Sequence, residues 1–287
     1  MARVVFFGTP QMSVPTLRAL HAAGHEIVLV VSQADKRRGR SGAVSPSPVK
    51  AAAQELGIPV TSRVDDVLQT QADLGVLVAF GRIISTEILS RLTIVNLHPS
   101  LLPRWRGATP GEAAIMAGDE MTGICLMQLV EEMDAGPVYA SWKTSVGVDE
   151  TASALYERLF EKGNEMLVDM LAGDLPVPRP QEGEATYCGR FSPSDFRIDW
   201  TRSAEHIQRL TRIGAPWSTF RDRRVVVTSA SVGETEAVGV PGDLSGTSVQ
   251  TGAGVLTLMR VKPEGKAEMD ARSWINGLRL TETESFQ

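Results

Sequence analysis

Residues 3–31 have the sequence RVVFFGTPQMSVPTLRALHAAGHEIVLVV. Residues 4–7 form a continuous apolar run of β-forming residues that stops at a glycine. Residues 14–23 then carry apolar side chains at helical spacing, Gly24 follows in the position of a C-cap, and a second apolar run covers residues 27–31. The stretch therefore predicts a buried strand, a helix and a second buried strand.

The same alternation continues along the first half of the chain. A helix is predicted over residues 48–56, and short strands are predicted over 58–61, 75–79 and 93–97. This order is typical of a Rossmann-like α/β fold with an open, mostly parallel sheet. The turn after the first strand, Gly8-Thr9-Pro10, lacks the GxGxxG pattern, and Pro10 has no backbone N–H to offer a phosphate. We therefore expect no dinucleotide cofactor.

A second, smaller domain is predicted after a long helix over residues 151–171. Residues 173–180 contain alternate prolines, which favour an extended connector. Beyond it, a helix over 203–212 is followed by short β-rich runs separated by glycines, at 224–228, 247–251 and 255–261. We predict an α/β domain over 1–175, a linker over 176–190 and a small β-barrel over 191–287.

The composition is that of an ordinary globular protein, with 287 residues, 43% hydrophobic and 22% charged side chains. The cysteines, Cys125 and Cys188, are too far apart to indicate a disulfide framework or a metal-binding pair. The N-terminal apolar run is too short for a signal peptide or a membrane span. We expect a cytoplasmic protein that has no membrane partner, and we take it to be a monomer.

The charge distribution leaves room for a nucleic-acid partner although the formal net charge is −5. Residues 190–224 contain eight arginines against four acidic residues, a local net charge of +4. Such a local excess can attract phosphate on an acidic protein, because screening limits electrostatic attraction to nearby charges. A solvated surface without a partner is the alternative interpretation of the same run.

The candidate catalytic residues begin with Asn96 and His98. They lie two apart at the end of a predicted strand, so their side chains point to the same side. The carboxyl edge of an open α/β sheet is where such folds bind ligands. A lone histidine is most often structural, but His98 has Asn96 beside it and a proline-bounded loop after it. This context favours a catalytic role.

Asp134 is the third candidate, in a turn after the apolar stretch 123–130. A bare aspartate there is most often a turn former, but close to Asn96 and His98 it becomes a candidate proton acceptor. Together the three residues suit acyl transfer to an amine: Asn96 and a protonated His98 donate to the oxyanion, and Asp134 accepts the amine proton through a water. Neither a cysteine nor a GxSxG serine is placed as a nucleophile, which favours direct transfer. His98 has no partner ligands at metal spacing, so we expect no metal.

At three motifs the chain resembles the folate-dependent formyltransferases: Asn96-Leu97-His98, Ser100-Leu101-Leu102-Pro103 and Asp134-Ala135-Gly136. The resemblance implies that Asn96, His98 and Asp134 are catalytic. It also implies that Ser100, Leu101, Leu102 and Pro103 border 10-formyltetrahydrofolate, the formyl donor. From the residues alone, loop 100–103 suits a wall for a flat heterocycle, and an ordinary proline-bounded loop is the alternative.

Over nearly its whole length, the chain is similar to the members of that family that formylate the methionine carried by initiator tRNA. The similarity covers residues 7–10, 33–50, 102–110, 197–200 and 262–269. It implies that the second domain is an OB-like barrel that holds tRNA, and that an inserted basic loop enters the acceptor end of the tRNA. The cations of that loop are Lys36, Arg37, Arg38 and Arg40. Flexible basic loops of this kind position phosphates, which supports the same interpretation.

Residues 187–190 and 214–217 depart from the pattern of that group, and both departures concern the predicted tRNA contacts. Three alternatives stay open. In the first, the formyl acceptor is an amino-sugar nucleotide instead of tRNA. In the second, the acceptor is water, as in a formyltetrahydrofolate hydrolase. In the third, the chain is a non-catalytic tRNA- or folate-binding module. The basic loop argues against the first, and the intact trio of Asn96, His98 and Asp134 argues against the last.

Overall fold

A computed structural model of the chain describes residues 1–38, 43–233, 239–280 and 284–287. Two compact units are present. The first comprises Met1–Gly111, Met121–Ser145 and Leu155–Cys188, and the second comprises Glu112–Glu120, Val146–Ala154 and Gly189–Gln287. The domain limits 1–175, 176–190 and 191–287 remain a prediction. None of the described helices is both long and apolar enough to cross a bilayer.

The part of the chain up to residue 188 contains the strand–helix–strand units that the sequence predicts, with further short strands between them. In chain order the elements are β1 (Arg3–Gly8), α1 (Val14–Ala22), β2 (Glu26–Val31), β3 (Lys36–Arg38), β4 (Ala43–Ser45), α2 (Pro48–Glu55), β5 (Val60–Thr61), β6 (Leu74–Val78), α3 (Thr86–Arg91), β7 (Ile94–His98), β8 (Arg106–Gly107), α4 (Pro110–Ala117), β9 (Met121–Gln128), β10 (Val138–Ser145), α5 (Ala152–Leu171) and β11 (Tyr187–Cys188).

The main sheet of the first unit has the strand order β10-β9-β7-β6-β1-β2-β5. The strands from β7 to β5 run parallel to one another, and β9 and β10 are antiparallel additions beyond β7. The parallel strands are buried on both faces, which explains why residues 4–7 of β1 and residues 27–31 of β2 are continuous apolar runs that do not alternate with polar residues. The prediction of a Rossmann-like, mostly parallel sheet is confirmed.

Helix α5 packs its apolar stripe against this core. Leu155, Leu159 and Leu167 are fully buried at helical spacing. Thr16 Oγ1 of α1 donates to Asn164 Oδ1 of α5 at 2.6 Å, which fixes the two helices to one another. Because these helices and the sheet bury one another's apolar faces, the carboxyl edge of β7 is carried on a rigid scaffold.

The second unit is built on an antiparallel sheet. Its elements in chain order are α6 (Ala204–Ile213), β12 (Trp217–Phe220), β13 (Arg223–Val232), β14 (Asp243–Ser245), β15 (Ser248–Gln250), β16 (Val255–Pro263), β17 (Met269–Asp270), α7 (Ala271–Leu278) and β18 (Glu284–Ser285). The strand order is β12-β13-β16-β15-β14-β18, with β17 paired to β16.

This second sheet curves into a nearly closed barrel. Thr219 of the first strand in the order and Gln287, just after the last, exchange backbone hydrogen bonds of 2.9 and 3.3 Å. The interior contains an aromatic cluster in which Phe286 lies 5.0 Å from Trp200, 5.2 Å from Phe220 and 5.9 Å from Trp274 between ring centroids. The prediction of a small C-terminal β-barrel is confirmed.

Candidate active site

Asn96 and His98 lie at the carboxyl end of β7, in the interior of the first unit. Their exposed fractions are 6% and 4%. Since they are two residues apart in a strand, both side chains project from the same face of the sheet. β7 lies between β6 and β9, and His98 is paired in register with Cys125 of β9. Two strong hydrogen-bonding side chains therefore stand together in a mostly apolar setting.

The two ring nitrogens of His98 have different surroundings. Nε2 lies 3.0 Å from the carbonyl oxygen of Trp105. A carbonyl oxygen can only accept, so Nε2 carries the hydrogen and donates it. Nδ1 lies 3.7 Å from Asp134 Oδ1, beyond hydrogen-bonding distance but close enough for charge interaction. Nδ1 is therefore the nitrogen that remains able to gain a proton.

Burial lowers the pKa of His98, and the Asp134 carboxylate and the Trp105 carbonyl oppose that shift without cancelling it. The ordinary pKa of histidine is near 6.5, so His98 is neutral in the free protein at neutral pH. The sequence predicts a protonated His98 as a donor to the oxyanion, and this role therefore requires the ring to gain its proton during the reaction. The neutral form of the free protein comes from desolvation, which a sequence pattern does not reveal.

Asp134 is held in place from both its side chain and its backbone. Its φ of 49° is in the left-handed region, within a turn in which Ala135 N–H donates to the Glu132 carbonyl at 3.3 Å. Gly107 N–H donates to Oδ2 at 2.8 Å. With Oδ2 bound in this way, Oδ1 is the carboxylate oxygen that faces His98.

The loop after β7 is fixed by internal hydrogen bonds. Ser100 is fully buried, and its Oγ donates to the Arg104 carbonyl at 2.6 Å. Its backbone N–H donates to the His98 carbonyl at 2.9 Å. Leu101, Leu102 and Pro103 are half-buried. The Ser100 hydroxyl therefore shapes the loop from inside, and the next three residues supply its apolar surface.

Cys125, on the strand beside β7, is held as a neutral thiol. Burial raises its pKa to about 11, and a hydrogen bond with the backbone of Leu102 only partly opposes the shift. The thiolate is the nucleophilic form of cysteine, so this side chain is a poor nucleophile at neutral pH. Within the described part of the chain, no group of three His, Cys, Asp or Glu side chains is arranged to hold a metal ion.

Sequence reasoning missed a segment that supports this site. β11 pairs in parallel with β8, and the Trp105 N–H donates to Thr186 Oγ1 at 2.9 Å. Gln181 Nε2 donates to the carbonyls of Asp134 and Gly136 at 2.7 and 2.8 Å. Gln181, Thr186 and β11 fall in the predicted linker 176–190. Most of their bonds run to backbone atoms, which leave no signature in the sequence.

The basic loop is only partly described. Lys36, Arg37 and Arg38 form β3, which pairs with β4 in an antiparallel hairpin, and Arg40 lies outside the described residues. At the base of the loop, Lys50 Nζ contacts both carboxylate oxygens of Asp35 at 2.8 and 2.9 Å. The predicted role of this loop remains a prediction.

The arginines of residues 190–224 fall into different groups. Arg221 Nε donates to Glu284 at 2.7 Å, and Arg212 donates to the carbonyls of Gly147 and Glu150 at 2.8 and 2.9 Å. Arg224 and Arg197 instead lie beside an aromatic ring: both are exposed, and their guanidinium carbons lie 4.3 and 5.8 Å from the centre of the Trp217 ring. The exposed cations and the aromatic ring together form a surface that we call the Trp217 surface (Arg197, Trp217 and Arg224).

Comparison with known proteins defines the class. The profile described as Formyl transferase matches residues 2–171, and that described as Formyl transferase, C-terminal domain, matches residues 190–279. The chain belongs to the formyltransferase family and is a formyl-transferring enzyme. Among curated relatives, methionyl-tRNA formyltransferase from Jannaschia sp. (strain CCS1) is 39% identical, covering 97% of both chains. The same-named protein from Thermus thermophilus is 40% identical, covering 96% of both.

Solved structures share the fold at lower identity. An N-formyltransferase from Helicobacter canadensis in complex with folinic acid and dTDP-3-aminofucose has a TM-score of 0.69 at 14% identity, covering 90% of this chain and 99% of that one. HypX from Aquifex aeolicus in complex with tetrahydrofolic acid has 0.65 at 17%, covering 100% and 51%. Methionyl-tRNA formyltransferase from Clostridium thermocellum has 0.59 at 18%, covering 81% and 94%. These identities show the shared fold alone.

Proposed function

We propose that this enzyme transfers the formyl group of 10-formyltetrahydrofolate to the amino group of methionyl initiator tRNA, and that it does so in the cytoplasm at the start of translation. The observation that carries the proposal is the position of His98, buried between the Asp134 carboxylate and the Trp105 carbonyl with Asn96 on the same strand face. The near-full-length similarity to relatives named methionyl-tRNA formyltransferase supports the choice of acceptor.

In the proposed mechanism, Asn96 and His98 stabilise the charge that develops on the formyl oxygen. The free amine of methionine attacks the formyl carbon, a new C–N bond forms, and the carbonyl oxygen becomes an oxyanion. Asn96 donates a hydrogen bond from its amide to that oxygen. A donor that is already in place inside a low-dielectric site stabilises the oxyanion without reorganising during the reaction.

His98 and Asp134 carry the proton in this mechanism. His98 starts neutral because burial lowers its pKa, so Nδ1 can take the proton that the attacking amine loses. The Asp134 carboxylate stabilises the resulting imidazolium, which then serves as a second donor to the oxyanion. When the bond between the formyl carbon and N10 of the folate breaks, N10 keeps the electron pair and takes up the proton. His98 returns to its neutral form.

Loop 100–103 is the proposed wall of the folate site. Leu101, Leu102 and Pro103 offer half-buried apolar surface next to the catalytic strand, which suits the flat face of a pterin. Ser100 contributes through the shape of the loop, because its hydroxyl is already bound to the Arg104 carbonyl. Relatives solved with tetrahydrofolic acid and with folinic acid support a folate as co-substrate.

The proposed tRNA contacts are the basic loop and the Trp217 surface. The basic loop carries Lys36, Arg37, Arg38 and Arg40. On the second unit, an aromatic ring flanked by exposed arginines offers both a stacking face and phosphate-binding cations. The basic loop steers the aminoacyl end in this proposal, and the Trp217 surface binds the body of the tRNA.

Substitution of the catalytic trio tests the proposed chemistry. We expect Asn96→Ala, His98→Ala and Asp134→Ala each to lower the transfer rate about a hundredfold or more, because each removes a preorganised group from the transition state. Single-turnover transfer with saturating tRNA and folate is the measurement. The matched controls, His21→Ala and Asp65→Asn, change exposed side chains of the same types. A trio variant that folds and keeps the wild-type rate removes that residue from the mechanism.

A further inference from the structure

Gln181 closes a ring of hydrogen bonds that includes Asp134, the carboxylate proposed to stabilise the His98 imidazolium. The ring, which we call the Asp134 circuit, consists of Asp134, Gly107, Arg106 and Gln181. Gly107 N–H binds the Asp134 carboxylate at 2.8 Å, and the side chain of the adjacent Arg106 donates to Gln181 Oε1 from Nε at 3.1 Å and from a terminal nitrogen at 2.8 Å. Gln181 Nε2 then donates to the Asp134 carbonyl at 2.7 Å.

Both ends of the Gln181 amide are fully used. Nε2 has two hydrogens, and it donates one to Asp134 and the other to the Gly136 carbonyl at 2.8 Å. Oε1 has two lone pairs, and it accepts two hydrogen bonds, both from the Arg106 side chain. Because a glutamine side chain offers two donors and one acceptor oxygen, this site satisfies its whole capacity. No other uncharged side chain of this length can do the same.

The Arg106 side chain is itself fixed by its neighbours. It is only 11% exposed, so its charge needs partners inside the protein. One terminal nitrogen lies 3.2 Å from Glu132 Oε1 and 3.4 Å from the Tyr187 hydroxyl. The guanidinium is thereby held on both sides, and it holds the acceptor end of Gln181 in turn.

The Asp134 turn needs this support because of its backbone. Asp134 has a φ of 49°, a left-handed conformation that costs a non-glycine residue free energy unless its surroundings fix it. Gln181 binds the carbonyls on either side of Ala135, and Gly107 binds the carboxylate of the same turn. The carboxylate is therefore constrained from the backbone and from the side chain, and Oδ1 stays 3.7 Å from His98 Nδ1.

We propose that Gln181 is a positioning residue for formyl transfer, which fixes the Asp134 carboxylate against His98. The inference rests on the proposed role of Asp134 in catalysis. The proposed role of Gln181 is indirect: it acts on His98 and the acyl centre through the Asp134 turn. It lies 47 residues from Asp134 in the sequence, in the segment predicted to be a linker.

Two substitutions test the hydrogen-bond donors and the acceptor oxygen of the Gln181 side chain separately. Gln181→Glu keeps the shape and the bond to Arg106, but it loses both donors and brings a carboxylate oxygen against two carbonyl oxygens. Gln181→Met keeps the length and loses every hydrogen bond. We expect either change to lower kcat about tenfold or more, because small misplacements of a catalytic group are costly. KM for folate and for tRNA should stay within about twofold, since the lost interactions act on the transition state.

The controls are matched in chemistry and in charge. Gln71→Glu makes the same exchange at an exposed glutamine, and it should leave kcat unchanged. The double change Gln181→Glu with Glu182→Gln restores the net charge of the segment, and it should stay as slow as Gln181→Glu alone. Recovery of kcat in that double variant, or equal loss in the Gln71 control, would overturn the inference. Thermal unfolding of each variant separates a loss of rate from a loss of folded protein.

A double-substitution cycle with Asp134→Asn gives the decisive result. If Gln181 acts by positioning Asp134, Gln181→Met slows the wild type but produces no further loss in the Asp134→Asn enzyme. An equal loss in both backgrounds would overturn the inference, as would a wild-type kcat for both Gln181 variants. In those cases a slow Asp134→Asn enzyme would leave the proposed function standing. An Asp134→Asn enzyme with the wild-type rate would instead overturn the proposed role of Asp134, and this inference with it.

Discussion

Three features of its surroundings set the protonation of His98. Burial lowers its pKa, whereas the Asp134 carboxylate and the Trp105 carbonyl raise it. The net effect keeps the ring neutral before the amine arrives, and the carboxylate makes the protonated form accessible once a proton is released. Asp134 thus contributes by stabilising a charge that appears only during the reaction.

This balance gives a testable sign for the pKa of His98. Asp134→Asn removes the group that raises the pKa and keeps the burial that lowers it, so the pKa of His98 should fall further below 6.5. An NMR pH titration of the His98 ring, assigned by comparison with His98→Gln, measures the change. Asp65→Asn, on an exposed residue, should leave the value unchanged. An unchanged or higher pKa in Asp134→Asn would contradict the described interaction.

For single residues of the candidate site, the sequence identifies the side chains that take part but not the backbone atoms. Asn96 and His98 are identifiable because they are two residues apart at a predicted strand end, and Asp134 because a small residue and a glycine follow it. Every residue carries a backbone carbonyl, and every residue but proline carries an N–H, so nothing in the sequence marks the Trp105 carbonyl or the Gly107 N–H. Gln181 becomes visible only when the chain brings it to Asp134.

Among the elements, the pairing of β8 with β11 carries much of the support for the site. The two strands are two residues each, and Gly107 has a φ of 120°, a conformation that favours glycine. A Cβ at Gly107 would lie 2.1 Å from the Cys188 carbonyl oxygen. The approach of the strands therefore depends on a residue without a side chain.

We expect Gly107→Ala to destabilise the protein by about 2 kcal/mol or more, because backbone strain and a steric clash with backbone both act there. Transfer should fall as well, since Gly107 N–H holds the Asp134 carboxylate. Gly57→Ala is the matched control: its φ of 70° also favours glycine, but no atom lies within 4 Å of the added Cβ. Chemical denaturation gives both values, and a Gly107→Ala that costs no more than Gly57→Ala would contradict the described contact.

The elements that the sequence misses are those whose stability comes from tertiary contacts. β1 and β2 each contain a long apolar run, and the predicted runs, residues 4–7 and 27–31, fall within one residue of the observed strands at each end. β10 is at the sheet edge and includes Ser, Lys and Thr, so it lacks the buried run that marks a strand. The two-residue strands β8 and β11 are too short to have a periodicity at all.

Over the whole molecule, an acidic protein has to bind an acidic partner if the proposed function holds. The formal net charge is −5, yet residues 190–224 carry a local net charge of +4. Within that run, Arg212 and Arg221 are bound to groups of the protein, while Arg197 and Arg224 flank an aromatic ring at the surface. The basic loop adds a second group of cations. Local clusters of this kind outweigh the net charge at short range.

The two cationic groups should affect transfer in different ways. Neutralising Arg197 and Arg224 should weaken tRNA binding and flatten its salt dependence by about one to two in the log–log slope, because fewer counterions are released. Neutralising Arg37, Arg38 and Arg40 should lower transfer at saturating tRNA, since the loop then fails to steer the aminoacyl end. Affinity and single-turnover rate, measured across salt concentrations, distinguish the two, with Arg91→Ala as a control distant in sequence. Loop variants with the wild-type rate at saturating tRNA would contradict the steering role.

The most direct test of the proposed function is a competition among acceptors for the same formyl donor. The purified enzyme is given 10-formyltetrahydrofolate with methionyl initiator tRNA, an amino-sugar nucleotide and water as acceptors, and the formylated product is identified by mass. We expect formyl to appear on the methionine amine of the tRNA, and we expect Asn96→Ala, His98→Ala and Asp134→Ala to abolish this product. Formyl that appears mainly on the amino sugar, or is released mainly as formate, would contradict the proposed function.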